Sequence, residues 1–108
     1  MSSRLFNREV GVRKPKRMKA GDVMKRLRKY GFELDSASGR HGRIYKDCGD
    51  KEITHSFPST DMSKEISIGV LDEIVDYFGF TEEEIYCSET EWKRLKGQGK
   101  ITEPCDNF

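Results

Sequence analysis

The apolar residues in the middle of this chain change their spacing twice, and this change restricts the fold more than any other feature of the sequence. Val23, Leu27 and Tyr30 recur at helical spacing. Apolar and polar residues then alternate through residues 32–57, and a wide helical stripe follows over residues 66–78. A helical period indicates an amphipathic helix, and alternation indicates a half-buried strand. The pattern therefore predicts an α+β domain in which a sheet is flanked in sequence by two helices.

Turn-forming residues divide the alternating segment into separate strands. Two such segments, residues 36–40 and 47–50, are rich in Ser, Gly and Asp, and Pro58 removes a donor and ends the last strand. The predicted strands are residues 32–35, 43–45 and 51–57. Strands joined by short turns pair in antiparallel fashion. We therefore expect a two-layer α-β-β-β-α domain with a three-stranded antiparallel sheet.

Glycines and capping residues predict where the helices begin and end. Gly31 and Gly79 follow the last apolar positions of the two helices, where a left-handed residue ends a helix. Residues 81–84 and 88–91 each have capping-box spacing, so one or two short C-terminal helices should follow. Residues 97–108 contain few apolar side chains and are predicted to form a flexible tail. The expected organisation is a basic flexible arm over 1–17, a domain over 18–85, a short helix over 86–96 and this tail.

The charged residues form a gradient that the formal net charge of +1 conceals. Residues 1–30 contain eleven Lys or Arg and two acidic residues, whereas residues 71–108 contain four and ten. A basic amino-terminal third neutralises phosphates and an acidic carboxy-terminal third repels them, although a basic face is also often only solvated. If the chain binds RNA, we expect its amino-terminal side to do so. The residues expected to bind are Arg13, Lys14, Lys16, Arg17, Lys25, Arg26 and Lys29.

The three cysteines are far apart and form no C-x-x-C pair. We therefore expect neither a disulfide framework nor a standard zinc site. The intervals between His41, Cys48 and His55 fit no standard zinc spacing either, so no metal is expected. With 36% charged and 34% hydrophobic residues, the chain is also too polar for a large enclosed cavity, and no cofactor is expected.

No segment of the sequence resembles a targeting or membrane-spanning element. Residues 1–19 are basic but lack the apolar stretch of a signal peptide, and no apolar run reaches the length that a bilayer requires. The sequence therefore predicts a cytoplasmic protein without a membrane partner.

Several short motifs follow one another in a characteristic order. They are Met18–Leu27, Tyr30-Gly31-Phe32, Ser38-Gly39-Arg40-His41, Ile53-Thr54-His55, Ile66–Ile74 and Phe78-Gly79-Phe80-Thr81. Over about two thirds of the chain, this order resembles the HicA-type toxin family of YcfA-like mRNA interferases. The resemblance implies a fold like that of double-stranded-RNA-binding domains and metal-independent endoribonuclease activity centred on His41. It also implies a HicB-type antitoxin partner that covers the site.

The residue types around His41 are suited to RNA cleavage. Imidazole has an ordinary pKa near neutrality, so His41 can act as general acid or base at the 2′-hydroxyl or the leaving 5′-oxygen. Arg40 and Arg43 can hold the scissile phosphate, because a guanidinium group matches phosphate geometry. His55 is a second candidate for proton transfer if the strand register brings it to the same surface as His41; otherwise it is a polar residue of the strand.

Two other functions fit the same sequence. One is an RNA-binding module of the same fold without catalysis. Residues 62–72 offer only Lys64 among several acidic residues, which argues against duplex binding through the second helix and favours single-stranded or messenger RNA. The other is a protein-interaction module in which Trp92 and Leu95 anchor a partner.

Overall fold

A computed structural model describes residues 16–35 and 41–108 of the chain. Its elements are β1 (Met18–Lys19), α1 (Ala20–Arg28), β2 (Glu33–Asp35), β3 (Gly42–Asp47), β4 (Glu52–Phe57), β5 (Glu65–Ile66), α2 (Ile68–Phe78), α3 (Glu82–Tyr86), α4 (Glu89–Gly97) and a 3₁₀ helix (Pro104–Asn107). The predicted basic arm lies outside the described residues except for Lys16 and Arg17.

Strands β2, β3 and β4 form an antiparallel sheet in that order, which confirms the predicted α-β-β-β-α arrangement. Ile44 of β3 lies opposite Leu34 of β2 and His55 of β4. In addition, β1 pairs with β5 through Met18 and Ile66. No pattern in the sequence predicts this pairing, because two-residue strands are too short to show alternation.

The two long helices contribute to a core on one face of the sheet. Ile44, Ile53 and Phe57 are buried on that face and belong to the same apolar cluster as residues of α1 and α2. Phe32 packs against Phe78, with ring centroids 4.7 Å apart. The opposite face, which we call the open face, exposes alternate residues of the strands, as expected for a two-layer domain.

The predicted helix ends are confirmed. Gly79 ends α2 with φ 78°, and Gly31 has φ 94° in the turn after α1. Thr81 and Ser88 each form a complete capping box with the glutamate three residues later. Over the described ranges, no helix combines the length and apolar character needed to cross a membrane.

A buried carboxyl group joins the C-terminal helices to the rest of the core. The side chain of Glu84 is 1% exposed. It accepts hydrogen bonds from the Tyr30 hydroxyl at 2.7 Å and from the Thr102 backbone N–H at 2.8 Å. Trp92 Nε1 donates to the Tyr30 hydroxyl at 2.9 Å. Burial and the hydrogen bond to Glu84 raise the pKa of Tyr30 well above its ordinary value, so this hydroxyl stays protonated.

Residues 97–108 differ from the predicted flexible tail, because they pack against the domain. Thr102 binds Glu84, Pro104 is buried, and Asn107 Nδ2 donates to the Phe78 carbonyl at 2.9 Å. Cys105 forms a disulfide with Cys48 in the turn between β3 and β4, so the expectation that the cysteines form no disulfide is wrong. Hydrogen bonds and the disulfide hold this segment against the domain, although its composition includes few apolar side chains.

Replacing Cys105 with serine should lower the free energy of unfolding by about 2–4 kcal/mol, the usual effect of removing a disulfide that closes a long loop. The two cysteines are 57 positions apart in sequence. Denaturant unfolding of wild type and Cys105→Ser, each with and without a dithiol reductant, measures the effect. Reductant should bring the wild type to the stability of the variant and leave the variant unchanged. Equal stability of the oxidised and reduced wild type would contradict this assignment.

Candidate functional site

His41 lies exposed immediately before β3, at one end of the sheet. Within the strand, Arg43 lies on the open face, whereas Gly42 and Ile44 face the core; extending this alternation by one residue puts His41 on the side of Arg43. Arg43 is exposed, and its Nη2 atom lies 3.7 Å from Oδ2 of Asp35 in an ion pair. Arg40 is outside the described residues. The structure thus brings His41 and Arg43 to one surface, with a carboxylate partner already beside the arginine.

Close packing explains the glycine after His41. A Cβ atom at Gly42 would lie 2.8 Å from Cδ1 of Leu34 and 3.3 Å from the Asp35 carbonyl oxygen. Gly42 is paired with Phe57, so His41 lies next to the loop that begins at Pro58. This loop lines an open cleft of about 430 Å³. His41 itself does not line this cleft.

His55 does not share a surface with His41. Its position opposite Ile44 places it on the helical face of the sheet, where its ring packs edge-to-face on Tyr77 with centroids 4.9 Å apart. His55 Nδ1 lies 2.8 Å from the Ser56 carbonyl oxygen. The register therefore excludes the joint acid–base pair that the sequence left open, and His55 has a packing role.

Several of the predicted RNA-binding residues meet in a second cleft of about 540 Å³, which we call the basic cleft. Its basic lining residues are Lys16, Arg17, Lys19, Lys25 and Arg26. Its acidic lining residues are Asp22, Glu65 and Glu89. Sequence reasoning did not assign Lys19 to this surface, because its placement depends on the pairing of β1 with β5. Arg13 and Lys14 lie outside the described residues.

Arg26 has a structural role rather than the predicted role in RNA binding. It is 7% exposed, and its guanidinium donates to the backbone carbonyls of Glu84 and Cys87, the latter at 2.8 Å. These carbonyls lie at the end of α3, where helix carbonyls lack partners within the helix. Arg26 Nη1 also lies 3.5 Å from Cys87 Sγ. Burial raises the pKa of the Cys87 thiol, and the nearby Arg26 charge opposes this shift.

Lys29 is also engaged within the protein. Its ammonium lies 2.7 Å from Oε2 of Glu89 and 4.9 Å from the centroid of the Trp92 ring. The hydrogen bond from Lys29 lowers the pKa of Glu89 below its ordinary value. The stabilisation from this pair is therefore present above the ordinary pKa of glutamate and is lost as the pH falls through the lowered value. Lys25, in contrast, is exposed at the rim of the basic cleft.

Trp92 and Leu95 do not form the exposed anchor proposed for a protein partner, because each is only 5% exposed and belongs to the core. Helical spacing alone could not distinguish an anchor from a core stripe. Cys48, considered as a metal ligand beside the two histidines, is bonded to Cys105. Among the described residues, no group of three or more His, Cys, Asp or Glu side chains is placed to hold a metal ion.

Comparisons of the chain with protein-family models, curated proteins and solved structures found no match.

Proposed function

We propose that this protein is an endoribonuclease of HicA type that cleaves single-stranded or messenger RNA without a metal ion. His41 acts as the general base that removes the proton of the attacking 2′-hydroxyl or as the general acid that protonates the leaving 5′-oxygen, and Arg43 stabilises the charge that develops on the scissile phosphate. The observation that carries this proposal is the exposed position of His41 immediately before the central strand of an α-β-β-β-α domain, two residues from the exposed Arg43.

The basic cleft supports RNA as the substrate. Lys16, Arg17, Lys19 and Lys25 surround a concave surface, and ammonium and guanidinium groups provide the sequence-independent part of nucleic-acid affinity. A HicB-type antitoxin protein is the proposed partner, and it would act by covering His41. The proposed location is the cytoplasm, where messenger RNA is available and where the Cys48–Cys105 pair would be kept reduced.

One observation favours a second candidate, an RNA-binding module without catalysis. Arg43 is paired with Asp35, and His55 lies on the other face, so within residues 16–35 and 41–108 His41 has no second imidazole beside it. Transesterification needs proton removal and proton donation, and a single histidine must perform both in turn.

Incubation of purified protein with an unstructured RNA and a chelator separates these two functions. We expect cleavage with 2′,3′-cyclic phosphate at the new ends, because a metal-independent enzyme uses the 2′-hydroxyl as nucleophile. RNA that is bound but intact would favour the binding module and would overturn the proposed activity.

The basic cleft should supply much of the affinity for RNA. Replacing Arg17 and Lys25 with glutamate should weaken binding and reduce the slope of log K against log salt concentration by about 0.7 for each lost phosphate contact. Lys100→Glu is the matched control, since Lys100 is exposed but does not line this cleft. Fluorescence anisotropy of a labelled RNA over a range of salt concentrations measures both quantities. An unchanged slope in the double variant, or an equal loss in the control, would show that RNA binds elsewhere.

A further inference from the structure

A third concave surface, unrelated to His41, lies where the end of α1 meets β3, α4 and the C-terminal segment. Its volume is about 460 Å³. Its basic lining residues are Lys29, Lys46 and Lys96, one from each of three separate parts of the fold. Because Trp92 also lines this surface, we call it the lysine–tryptophan cleft. Sequence reasoning missed it, since Lys46 and Lys96 are 50 positions apart and only the folded chain brings them together.

The ammonium groups in this cleft are held in defined positions. Lys46 Nζ donates to the Tyr30 carbonyl at 2.6 Å. Gly31 makes room for this ammonium, because a Cβ atom at Gly31 would lie 2.6 Å from Lys46 Nζ. The ammonium groups of Lys29 and Lys96 lie 4.9 and 5.7 Å from the centroid of the Trp92 ring. Three ammonium groups thus surround one concavity, and such a cluster of positive charge favours an anion.

The acidic groups nearby offset this charge only in part. Among the described residues, Glu103 is the one acidic residue that lines this cleft. Its side chain accepts a hydrogen bond from the Cys105 N–H at the start of the 3₁₀ helix. Glu89 pairs with Lys29 but does not line the cleft. Lys46 and Lys96 retain N–H donors for a ligand, since an ammonium group has three.

We propose that the lysine–tryptophan cleft binds a phosphate-containing anion with at least two negative charges, such as a diphosphate or the terminal phosphate of a nucleic acid. A compact polyanion suits the site, because ammonium groups act as point charges toward phosphate oxygens. Trp92 is only 5% exposed, so little of its surface is accessible to a stacking base. Recognition is therefore directed at the phosphate and not at a base. This site does not depend on the proposed cleavage activity.

Trp92 is the chain's single tryptophan, so its fluorescence reports on the cleft directly. Titration with pyrophosphate should give a saturable change in emission, and isothermal titration calorimetry should give the same dissociation constant. Lys96→Gln should weaken binding about tenfold, the effect of losing one charge-assisted hydrogen bond. Lys93→Gln is the matched control, because Lys93 is exposed on the same helix but does not line the cleft.

The source of the phosphate is distinguished by a second pair of probes. An oligoribonucleotide with a 5′-phosphate should compete with pyrophosphate better than the same oligonucleotide with a 5′-hydroxyl if the ligand is a nucleic-acid end. Equal competition would assign the site to small phosphate compounds. Absence of saturable pyrophosphate binding to the wild type, or equal weakening by Lys93→Gln and Lys96→Gln, would overturn the proposal.

Discussion

Replacing His41 with alanine is expected to lower the rate of RNA cleavage by about 10²–10⁴-fold, the usual contribution of a positioned proton-transfer group. The fold should be unaffected, because the side chain is exposed and its removal leaves no cavity in the core. RNA affinity should also change little, since His41 does not line the basic cleft that is proposed to bind RNA.

The matched control for this substitution is His55→Gln. His55 packs on Tyr77 on the opposite face of the sheet, so its replacement should leave cleavage within a few-fold of wild type. Thermal melting of both variants excludes unfolding as the cause of any loss. If His55→Gln lost activity and His41→Ala did not, the chemistry would belong to the helical face.

Replacing Glu84 with alanine is expected to lower the free energy of unfolding by about 3–5 kcal/mol. The Tyr30 hydroxyl and the Thr102 N–H would remain buried without an acceptor, and each such group costs about 1–3 kcal/mol. The Thr81 capping box would be lost as well. The C-terminal segment should stay attached, because the Cys48–Cys105 disulfide still holds it.

Glu83→Ala provides the comparison, since Glu83 lies next to Glu84 in α3 but is only half-buried. This substitution should lower the free energy of unfolding by less than about 1 kcal/mol, the usual effect of a charge in the first turn of a helix. Urea unfolding followed by Trp92 fluorescence measures both variants. Similar losses in the two would mean that the Glu84 contacts contribute little stability.

Most of the fold follows from local patterns in the sequence. Alternation and turn residues predicted the three strands, and Gly31, Gly79 and the two capping boxes predicted the helix ends. These signals succeed because each depends on neighbours in sequence. The disulfide and the packing of residues 97–108 depend instead on contacts between distant positions, such as Cys48 with Cys105, and composition does not reveal them.

The candidate site was predictable only in part for the same reason. His41 was identified from a resemblance to a known family, and Arg43 was identified from its residue type and its position close to His41 in sequence. The role of Arg26 was wrongly predicted, because its neighbours Lys25, Arg28 and Lys29 made it one more cation of a basic helix face. Its helical position in fact directs it toward the carbonyls that end α3. Only the tertiary structure separates a buried cation from an exposed one.

Single-turnover cleavage of an unstructured RNA in chelator decides whether His41 takes part in RNA cleavage without a metal. The rates are measured for wild type, His41→Ala and His55→Gln under identical conditions. Wild type and His55→Gln should cleave the RNA, and the rate of His41→Ala should be about 10²–10⁴-fold lower. Equal rates for wild type and His41→Ala would show that His41 has no part in the chemistry.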